Sequence, residues 1–108
     1  MSDFVKVGKK TDFPLNQTKG VRVNDVDVCV ANDNGALTAF DDSCTHAAAP
    51  LSECPVEKGL VTCPLHGARF DVKTGVPKTL PATEPLHMHF VKAEGDDVLV
   101  KLNEEPGS

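Results

Sequence analysis

The sequence contains no tryptophan and no tyrosine, and its aromatic side chains are limited to five phenylalanines and four histidines. A core must therefore be built mainly from Val, Leu and Ala, and eight Gly and eight Pro favour short strands joined by turns. Lys and Arg form no cluster, and the net charge of −5 argues against nucleic-acid binding. No apolar run approaches the ~18 residues that a membrane-spanning helix needs.

The first residues, Met1 to Lys6, do not form a charged-then-apolar leader. We therefore expect a cytoplasmic protein with no membrane partner. The 108 residues fit a single domain. Because disulfides are rare in the cytoplasm, the four cysteines are expected to bind metal more readily than to pair with each other.

Apolar alternation predicts strands toward both ends of the chain. Candidate strands cover residues 3–7, 20–31, 36–40, 86–90 and 98–102, with a change of phase at Asn24-Asp25 that predicts a turn or a bulge. Asn34-Gly35 is a strong hairpin signal, because both residues tolerate positive φ. The simplest arrangement is an antiparallel β-domain in which the first and last strands pair.

The centre of the chain has a different character. From Asp41 to about Pro85 it is rich in Pro, Gly, Cys and His, and alternation returns only at 60–62 and 68–72, the arms of a second hairpin. A helical turn is possible near 47–54, and the prolines at 81 and 85 predict an ordered crossing loop. We predict an all-β antiparallel sandwich, a single domain over 1–108, with a basal part at about 1–41 and 86–103 and an inserted lobe at about 42–85.

Two short motifs in this lobe each pair one cysteine with one histidine. They are Cys44-Thr45-His46 and Cys63-Pro64-Leu65-His66-Gly67, and sixteen residues separate them. Pro64 stiffens its loop and Gly67 permits positive φ or a close backbone approach. Three interpretations remain open: a [2Fe–2S] cluster, a structural zinc site, or no metal. Zinc sites of this composition usually group two Cys and then two His, which differs from the pattern here.

These motifs resemble those of the Rieske iron–sulfur family. The likeness extends to Ala49-Pro50-Leu51-Ser52, Gly59, Arg69-Phe70-Asp71, Gly75 and the Pro81 segment, which resembles the proline loop that covers the cluster. The resemblance implies one [2Fe–2S] cluster per chain. It also implies that Cys44 and Cys63 bind the buried iron, and that His46 and His66 bind the outer iron.

High-potential members of that family carry a disulfide between the two loops and two hydroxyls bonded to the cluster sulfurs. The equivalent positions are Ala49 and Leu65 for the disulfide, and Ala68 and Phe70 for the hydroxyls. Because such hydrogen bonds stabilise the more negative reduced cluster, their loss predicts a reduction potential nearer roughly −150 mV than +300 mV.

The remaining cysteines and histidines are expected to have no part in the metal site. Cys29 lies in a Val-rich strand and is predicted to be a small buried residue. Cys54 lies in the spacer between the two motifs and would be a thiol near the lobe. His87 and His89 alternate with Leu86, Met88 and Phe90, and we expect them on a solvated face.

The sequence shows no nucleophile–base pair, no phosphate-binding glycine loop and no second metal triad. We expect an electron carrier without substrate turnover of its own. The resemblance implies a flavoprotein ferredoxin reductase as donor and a terminal oxygenase, of an aromatic-ring dioxygenase system, as acceptor. Both would dock transiently at the His46/His66 tip, which small and apolar residues surround. One alternative is the small subunit of a larger oxidoreductase such as assimilatory nitrite reductase; another is a zinc-stapled interaction module.

Overall fold

The computed structural model describes residues 4–42, 51–52, 54–62, 67, 69–78 and 85–103. Nine strands run through these residues: β1 (Val5–Lys9), β2 (Gln17–Val23), β3 (Val26–Asp33), β4 (Ala36–Asp41), β5 (Val56–Glu57), β6 (Leu60–Thr62), β7 (Arg69–Asp71), β8 (Met88–Glu94) and β9 (Asp97–Lys101). A short 3-10 helix, Lys10–Asp12, follows β1, and these described ranges contain no α-helix. The all-β class expected from the sequence is confirmed.

Six strands form one sheet in the order β1-β9-β8-β4-β3-β2, and β5, β6 and β7 form a second sheet. Every pairing is antiparallel. Val5 of β1 lies opposite Val100 of β9, so the predicted pairing of the first and last strands is confirmed. β8 meets β4 at two residue pairs, and the halves β1-β9-β8 and β4-β3-β2 bury side chains in one common core. The large sheet is thus folded into a sandwich.

Two tight turns set the register of β2, β3 and β4. Asn34 and Gly35 have φ values of 53° and 103°, as an Asn-Gly hairpin requires, and Asn24 and Asp25 have φ values of 48° and 69°. The phase change at Asn24-Asp25 is therefore a turn rather than a bulge. The buried Asn32 side chain supports the second hairpin, because its Oδ1 accepts the Gly35 N–H at 2.8 Å and its Nδ2 donates to the Phe13 carbonyl at 2.6 Å.

The described residues form two buried clusters. The cluster inside the sandwich, here called the basal core, contains Phe13, Val23, Val28, Val30, Ala39, Val98 and Val100. The second, called the lobe core, contains Cys29, Ala31, Phe40, Leu51, Val56, Val61, Phe70, Val72 and Leu86. Side chains that alternate along a strand point to opposite faces, so β3 contributes Val28 and Val30 to one core and Cys29 and Ala31 to the other. β3 therefore lies between the two cores and has one face in each.

Two details differ from the sequence-based expectation. The two-residue strand β5 was not expected, because Val56 and Glu57 carry no alternation long enough to detect. Phe90 was expected on the same buried face as Leu86 and Met88, but it is 51% exposed. β4 pairs with β8 only at Met88 and His89, so the layer that covers the start of β8 does not extend to Phe90.

Candidate metal centre

The four predicted ligands, Cys44, His46, Cys63 and His66, lie outside the described residues. So do residues 47–50 and 53, within the stretch 47–54 where a helical turn was expected, and residues 79–84 around Pro81. Within the described ranges, no group of three or more His, Cys, Asp or Glu side chains could hold a metal ion. The structure does describe the residues that flank these stretches of chain, and they show how each stretch is attached to the rest of the fold.

The first ligand segment, residues 43–50, begins after Asp42 and ends before Leu51. The Asp42 main-chain N–H donates to the Asp27 carbonyl at 3.1 Å, which holds Asp42 against β3. The Asp42 Oδ1 accepts the N–H groups of Leu51 at 2.8 Å and Ser52 at 2.7 Å. A carboxylate makes stronger hydrogen bonds to amides than a neutral acceptor does, so this one oxygen firmly joins the two ends of the segment.

Thr18 of β2 anchors the residues that follow. Its hydroxyl lies 3.0 Å from the Leu51 carbonyl and 2.7 Å from the Cys54 carbonyl, and it accepts the Cys54 N–H at 2.8 Å. Thr18 is buried, so its hydroxyl depends on these partners in place of solvent. Alongside it, Gln17 forms an isolated bridge with Pro55, and the Val56 N–H donates to the Asn16 carbonyl at 2.9 Å. The spacer is thus attached along the outer edge of β2.

The second ligand segment, residues 63–66, connects β6 to β7. Thr62 pairs with Arg69 and Val61 with Phe70, so the two predicted hairpin arms are confirmed while the ligand-bearing tip lies outside the described residues. Gly67 has a φ of 73°, in the left-handed region, which agrees with the expectation for the glycine after His66.

A third segment, residues 79–84 and here called the proline segment, is also fixed at its base. The Lys78 N–H donates to the Arg69 carbonyl and the Leu86 N–H donates to the Gly75 carbonyl, both at 2.8 Å. Gly75 has a φ of 80°, and a Cβ at this position would lie 2.7 Å from the Leu86 carbonyl oxygen. Glycine is therefore required here both for backbone conformation and for close approach.

All three segments start from the same core. Leu51 follows the first ligand segment, Val61 and Phe70 lie on the strands beside the second, and Leu86 follows the proline segment; all four belong to the lobe core. The two ligand-bearing segments thus come from one packed unit, as a shared metal centre requires. Two thiolates and two imidazoles are the donor set of a [2Fe–2S] cluster in which His replaces Cys on one iron, so the chain's residues fit that group.

Cys29 is completely buried in the lobe core, as the sequence predicted. Burial raises the pKa of the Cys29 thiol, and the nearby Asp42 carboxylate raises it further. A thiol held in its neutral form is neither a metal ligand nor a nucleophile. Cys54 is partly buried against the same core, with its main chain bonded to Thr18.

The expectation of a solvated face for the two strand histidines is wrong for His89, whose side chain is 4% exposed. Its Nδ1 accepts the Asn103 N–H at 3.0 Å, so Nε2 carries the proton and donates to Asp41 Oδ1 at 2.6 Å. His87 Nε2 lies 2.6 Å from the Asn103 carbonyl oxygen. A ring with both nitrogens bonded can be buried at little cost, and together the two histidines hold Asn103 against β8.

Sequence reasoning missed the residues that hold the ligand segments: Thr18, Gly20 and Asp42. A glycine inside a strand signals the close approach of another chain segment, so Gly20 was the position at which the sequence offered a clue. The Thr18 and Asp42 side chains bond to main-chain groups, which carry no sequence signature.

The comparison with known proteins is consistent with this geometry. Residues 3–100 match the model of the Rieske [2Fe-2S] domain. The chain belongs to the Rieske [2Fe–2S] family. This confirms the resemblance seen in the two Cys/His motifs, and with it the [2Fe–2S] cluster as cofactor in place of zinc.

Three similar proteins span most of the Rieske chain. The ferredoxin component of biphenyl 2,3-dioxygenase from Rhodococcus jostii (strain RHA1) is 49% identical over 75 residues, 69% of this chain and 70% of its own. The ferredoxin component of the naphthalene 1,2-dioxygenase/salicylate 5-hydroxylase systems from a Ralstonia species is 36% identical over 91 residues, 84% and 88% of the two chains. The ferredoxin of carbazole 1,9a-dioxygenase from Nocardioides aromaticivorans IC177 superposes with a TM-score of 0.85 at 30% identity, over 93% of this chain and 98% of its own.

A nitrite reductase (NADPH) small subunit also shares the fold, with a TM-score of 0.74 over 91% of this chain and 97% of its own. At 19% identity this similarity shows the Rieske architecture and nothing about the partner. The alternative of an oxidoreductase small subunit is thus supported by fold alone, whereas the ferredoxin relatives match in sequence as well.

Proposed function

We propose that this Rieske protein is a one-electron carrier between a flavoprotein ferredoxin reductase and the terminal oxygenase of an aromatic-ring dioxygenase system. The observation that carries the proposal is the match, over most of both chains, to ferredoxin components of such systems. A solved complex of an oxygenase with a ferredoxin in carbazole 1,9a-dioxygenase contains a chain with a TM-score of 0.85 to this one, at 31% identity. That complex supports an oxygenase as the electron acceptor.

We assign Cys44 and Cys63 to the buried iron and His46 and His66 to the outer iron. When bound, the [2Fe–2S] cluster supplies a centre that accepts and releases one electron. The residues described here hold the two ligand segments on one core: Leu51 closes the first, and the β6–β7 pairing flanks the second.

Docking is assigned to the tip that carries His46 and His66. The sequence around these ligands is small or apolar, with Ala47–Pro50 on one side and Leu65 on the other. An apolar surface of limited area suits a transient complex. Replacing Leu65 with Glu should slow transfer to the reductase and to the oxygenase while leaving the spectrum unchanged. Unchanged rates with both partners would contradict the assignment.

Three further parts of the proposal concern the chain as a whole. We propose one domain with a basal part at about 1–41 and 86–103 and a lobe at about 42–85, which the two cores and the family match over 3–100 support. We also propose that the protein has no substrate turnover of its own and that it works in the cytoplasm. No helix among the described residues is long and apolar enough to cross a membrane.

A low reduction potential is proposed from the residues that replace hydroxyl donors. Phe70 is fully buried in the lobe core and offers no hydroxyl at that position. With neither that donor nor one at Ala68, the potential should lie near the low end of the Rieske range, roughly −150 mV. A potential near +300 mV, measured by redox titration of the purified protein, would contradict this step.

The whole proposal is tested with purified holoprotein. It should be red-brown and give an electron paramagnetic resonance (EPR) signal when reduced. It should accept electrons from a dioxygenase-system reductase with NADH, and be reoxidised by the matching oxygenase with substrate and oxygen. Cys44→Ser and His66→Ala should each abolish the native spectrum. A colourless zinc protein, or one that co-purifies as a fixed subunit of a larger oxidoreductase, would contradict the proposal.

A further inference from the structure

The two ends of the first ligand segment are joined by the side chain of Asp42, which lies against strand β2. Asp42 Oδ1 accepts two main-chain N–H groups, from Leu51 and Ser52, on the far side of residues 43–50. The other carboxylate oxygen, Oδ2, points toward β2. It would lie 3.0 Å from a Cβ built on Gly20.

Position 20 has no room for a side chain unless its neighbours move. A Cβ there would also lie 3.1 Å from both Cβ and Oγ of Ser52, so the carboxylate and the serine occupy the volume that a side chain would fill. Contacts at this distance are tighter than ordinary van der Waals contact, and the neighbours would have to move. We name Asp42, Ser52 and Gly20 the base clamp.

The clamp is held on both sides by main-chain and hydroxyl contacts. Asp42 is bonded to Asp27 of β3 through its own N–H, and Thr18, two residues before Gly20, bonds to Leu51 and Cys54. β2 and β3 are long, regularly paired strands, so the clamp joins Asp42 and Leu51, which flank the ligand segment, to a continuous part of the sheet.

We propose that Asp42, seated on Gly20, is a positioning residue for the metal centre: it sets where Cys44 and His46 stand relative to the second ligand segment. The inference rests on the proposed assignment of Cys44 and His46 as ligands. A carboxylate is suited to this role because one of its oxygens can accept two N–H donors with charge assistance, whereas a neutral amide or hydroxyl oxygen holds them less strongly.

Two substitutions loosen the clamp by different means. Asp42→Asn keeps the side-chain size but removes the charge. Gly20→Ala keeps the carboxylate but places a methyl group against it. With the holoprotein, each should speed the loss of the cluster to a chelator. For Asp42→Asn, which removes the charge assistance from two hydrogen bonds, the rate should rise by roughly tenfold. Each should also shift the EPR g-values and the reduction potential. A shift in Gly20→Ala, which changes no charge, separates geometry from electrostatics.

Each substitution has a matched control elsewhere in the fold. Asp27→Asn removes one negative charge from the neighbouring strand, where the side chain is 69% exposed and paired with Arg22. It keeps the main-chain carbonyl that accepts the Asp42 N–H. Gly8→Ala in β1 meets the same crowding, at 3.0 Å from Asp12 Oδ2 and 3.1 Å from the Phe13 ring, but away from the ligand segments. Both controls should retain the cluster and its spectrum at the wild-type level.

The proposal is overturned if Asp42→Asn loses its cluster no faster than Asp27→Asn and keeps the wild-type g-values. It is equally overturned if Gly20→Ala lowers the melting temperature as much as Gly8→Ala does and leaves the cluster unchanged. Asp42→Asn is close in shape to the native residue, so the test stands even if Gly20→Ala fails to fold. A normal cluster in Cys44→Ser would instead contradict the ligand assignment.

Discussion

The basal core and the lobe core differ in what holds them together. The basal core is enclosed by long strands with seven-residue and eight-residue members, and its side chains follow the alternation of those strands. The lobe core is enclosed by strands of two or three residues and by connecting segments. Around it, side chains such as Thr18 and Asp42 bond to main-chain groups in place of strand pairing.

The difference indicates that the lobe depends on the basal part more than the reverse. Cys29, Ala31 and Phe40, three members of the lobe core, belong to strands of the large sheet. The lobe thus packs on a surface that the basal strands form through their own pairing. We expect damage to the lobe core to affect cluster binding first, and damage to the basal core to affect the whole fold.

The largest effect is expected from removing one phenylalanine from each core. Phe70→Ala and Phe13→Ala each delete a buried ring and should lower the free energy of unfolding by about 3–5 kcal/mol. Phe70→Ala should also release the cluster much faster under conditions where the protein is still folded. Chemical unfolding followed by circular dichroism reports the loss of the fold, and the cluster absorbance measured alongside it reports the release of the cluster. Equal cluster retention in both variants would contradict the division into two cores.

A second comparison uses two glycines of positive φ. Gly75 at the base of the proline segment would place a Cβ 2.7 Å from the Leu86 carbonyl, whereas Gly95, in the turn between β8 and β9, has open space around it. Gly95→Ala should cost about 1–2 kcal/mol from backbone strain alone. Gly75→Ala carries the same strain and a clash with main chain, so it should cost clearly more in thermal unfolding. Similar losses of stability in the two variants would contradict the prediction, because they would mean that the main chain around Leu86 moves easily to accept the methyl group.

Two threonines with buried hydroxyl groups sharpen the comparison further. Thr18→Val should leave the Cys54 N–H and the Leu51 carbonyl without this partner and cost about 1–3 kcal/mol. The Thr38 hydroxyl is buried and makes no hydrogen bond in the described part of the chain. Thr38→Val should therefore be neutral or stabilising by up to ~1 kcal/mol. Urea midpoints for the two variants check this, and a cost for Thr38→Val equal to that for Thr18→Val would refute it.

The effect that is smallest at neutral pH is the dependence of stability on the protonation of the Cys29 thiol in β3. Burial raises the pKa of Cys29, so the thiol stays protonated in the folded protein while it ionises in the unfolded chain at alkaline pH. The contribution of the Cys29 thiol to the free energy of unfolding is therefore fully present below the ordinary thiol pKa of about 8.5. Above that pH it falls, by up to ~1.4 kcal/mol per pH unit. Cys29→Ala lacks this dependence, so its deficit relative to wild type should shrink as pH rises. A deficit independent of pH would contradict the prediction.

Much of the basal part could be predicted from sequence because its signals are local. The Asn34-Gly35 hairpin, the Val28 and Val30 face of β3 and the Val98 and Val100 face of β9 all appear as predicted. The β6 and β7 arms were also recognised from short alternating patches. By contrast, the burial of His89 depends on Asp41 and Asn103, which lie 48 and 14 residues away in the chain. No local pattern reports such partners.

The sequence by itself determined the all-β class and the Rieske family, and it is the basis on which four residues are proposed as ligands. Each of these depends on residue type and short spacing, and both are properties of the chain before it folds. The tertiary structure decided that β3 separates two cores, that Thr18 and Asp42 bond to the residues that follow the first ligand segment, and that Gly20 leaves room for the Asp42 and Ser52 side chains. The longest-range of these contacts join residues more than thirty positions apart, as Thr18 and Leu51 are, and only chain packing brings them together.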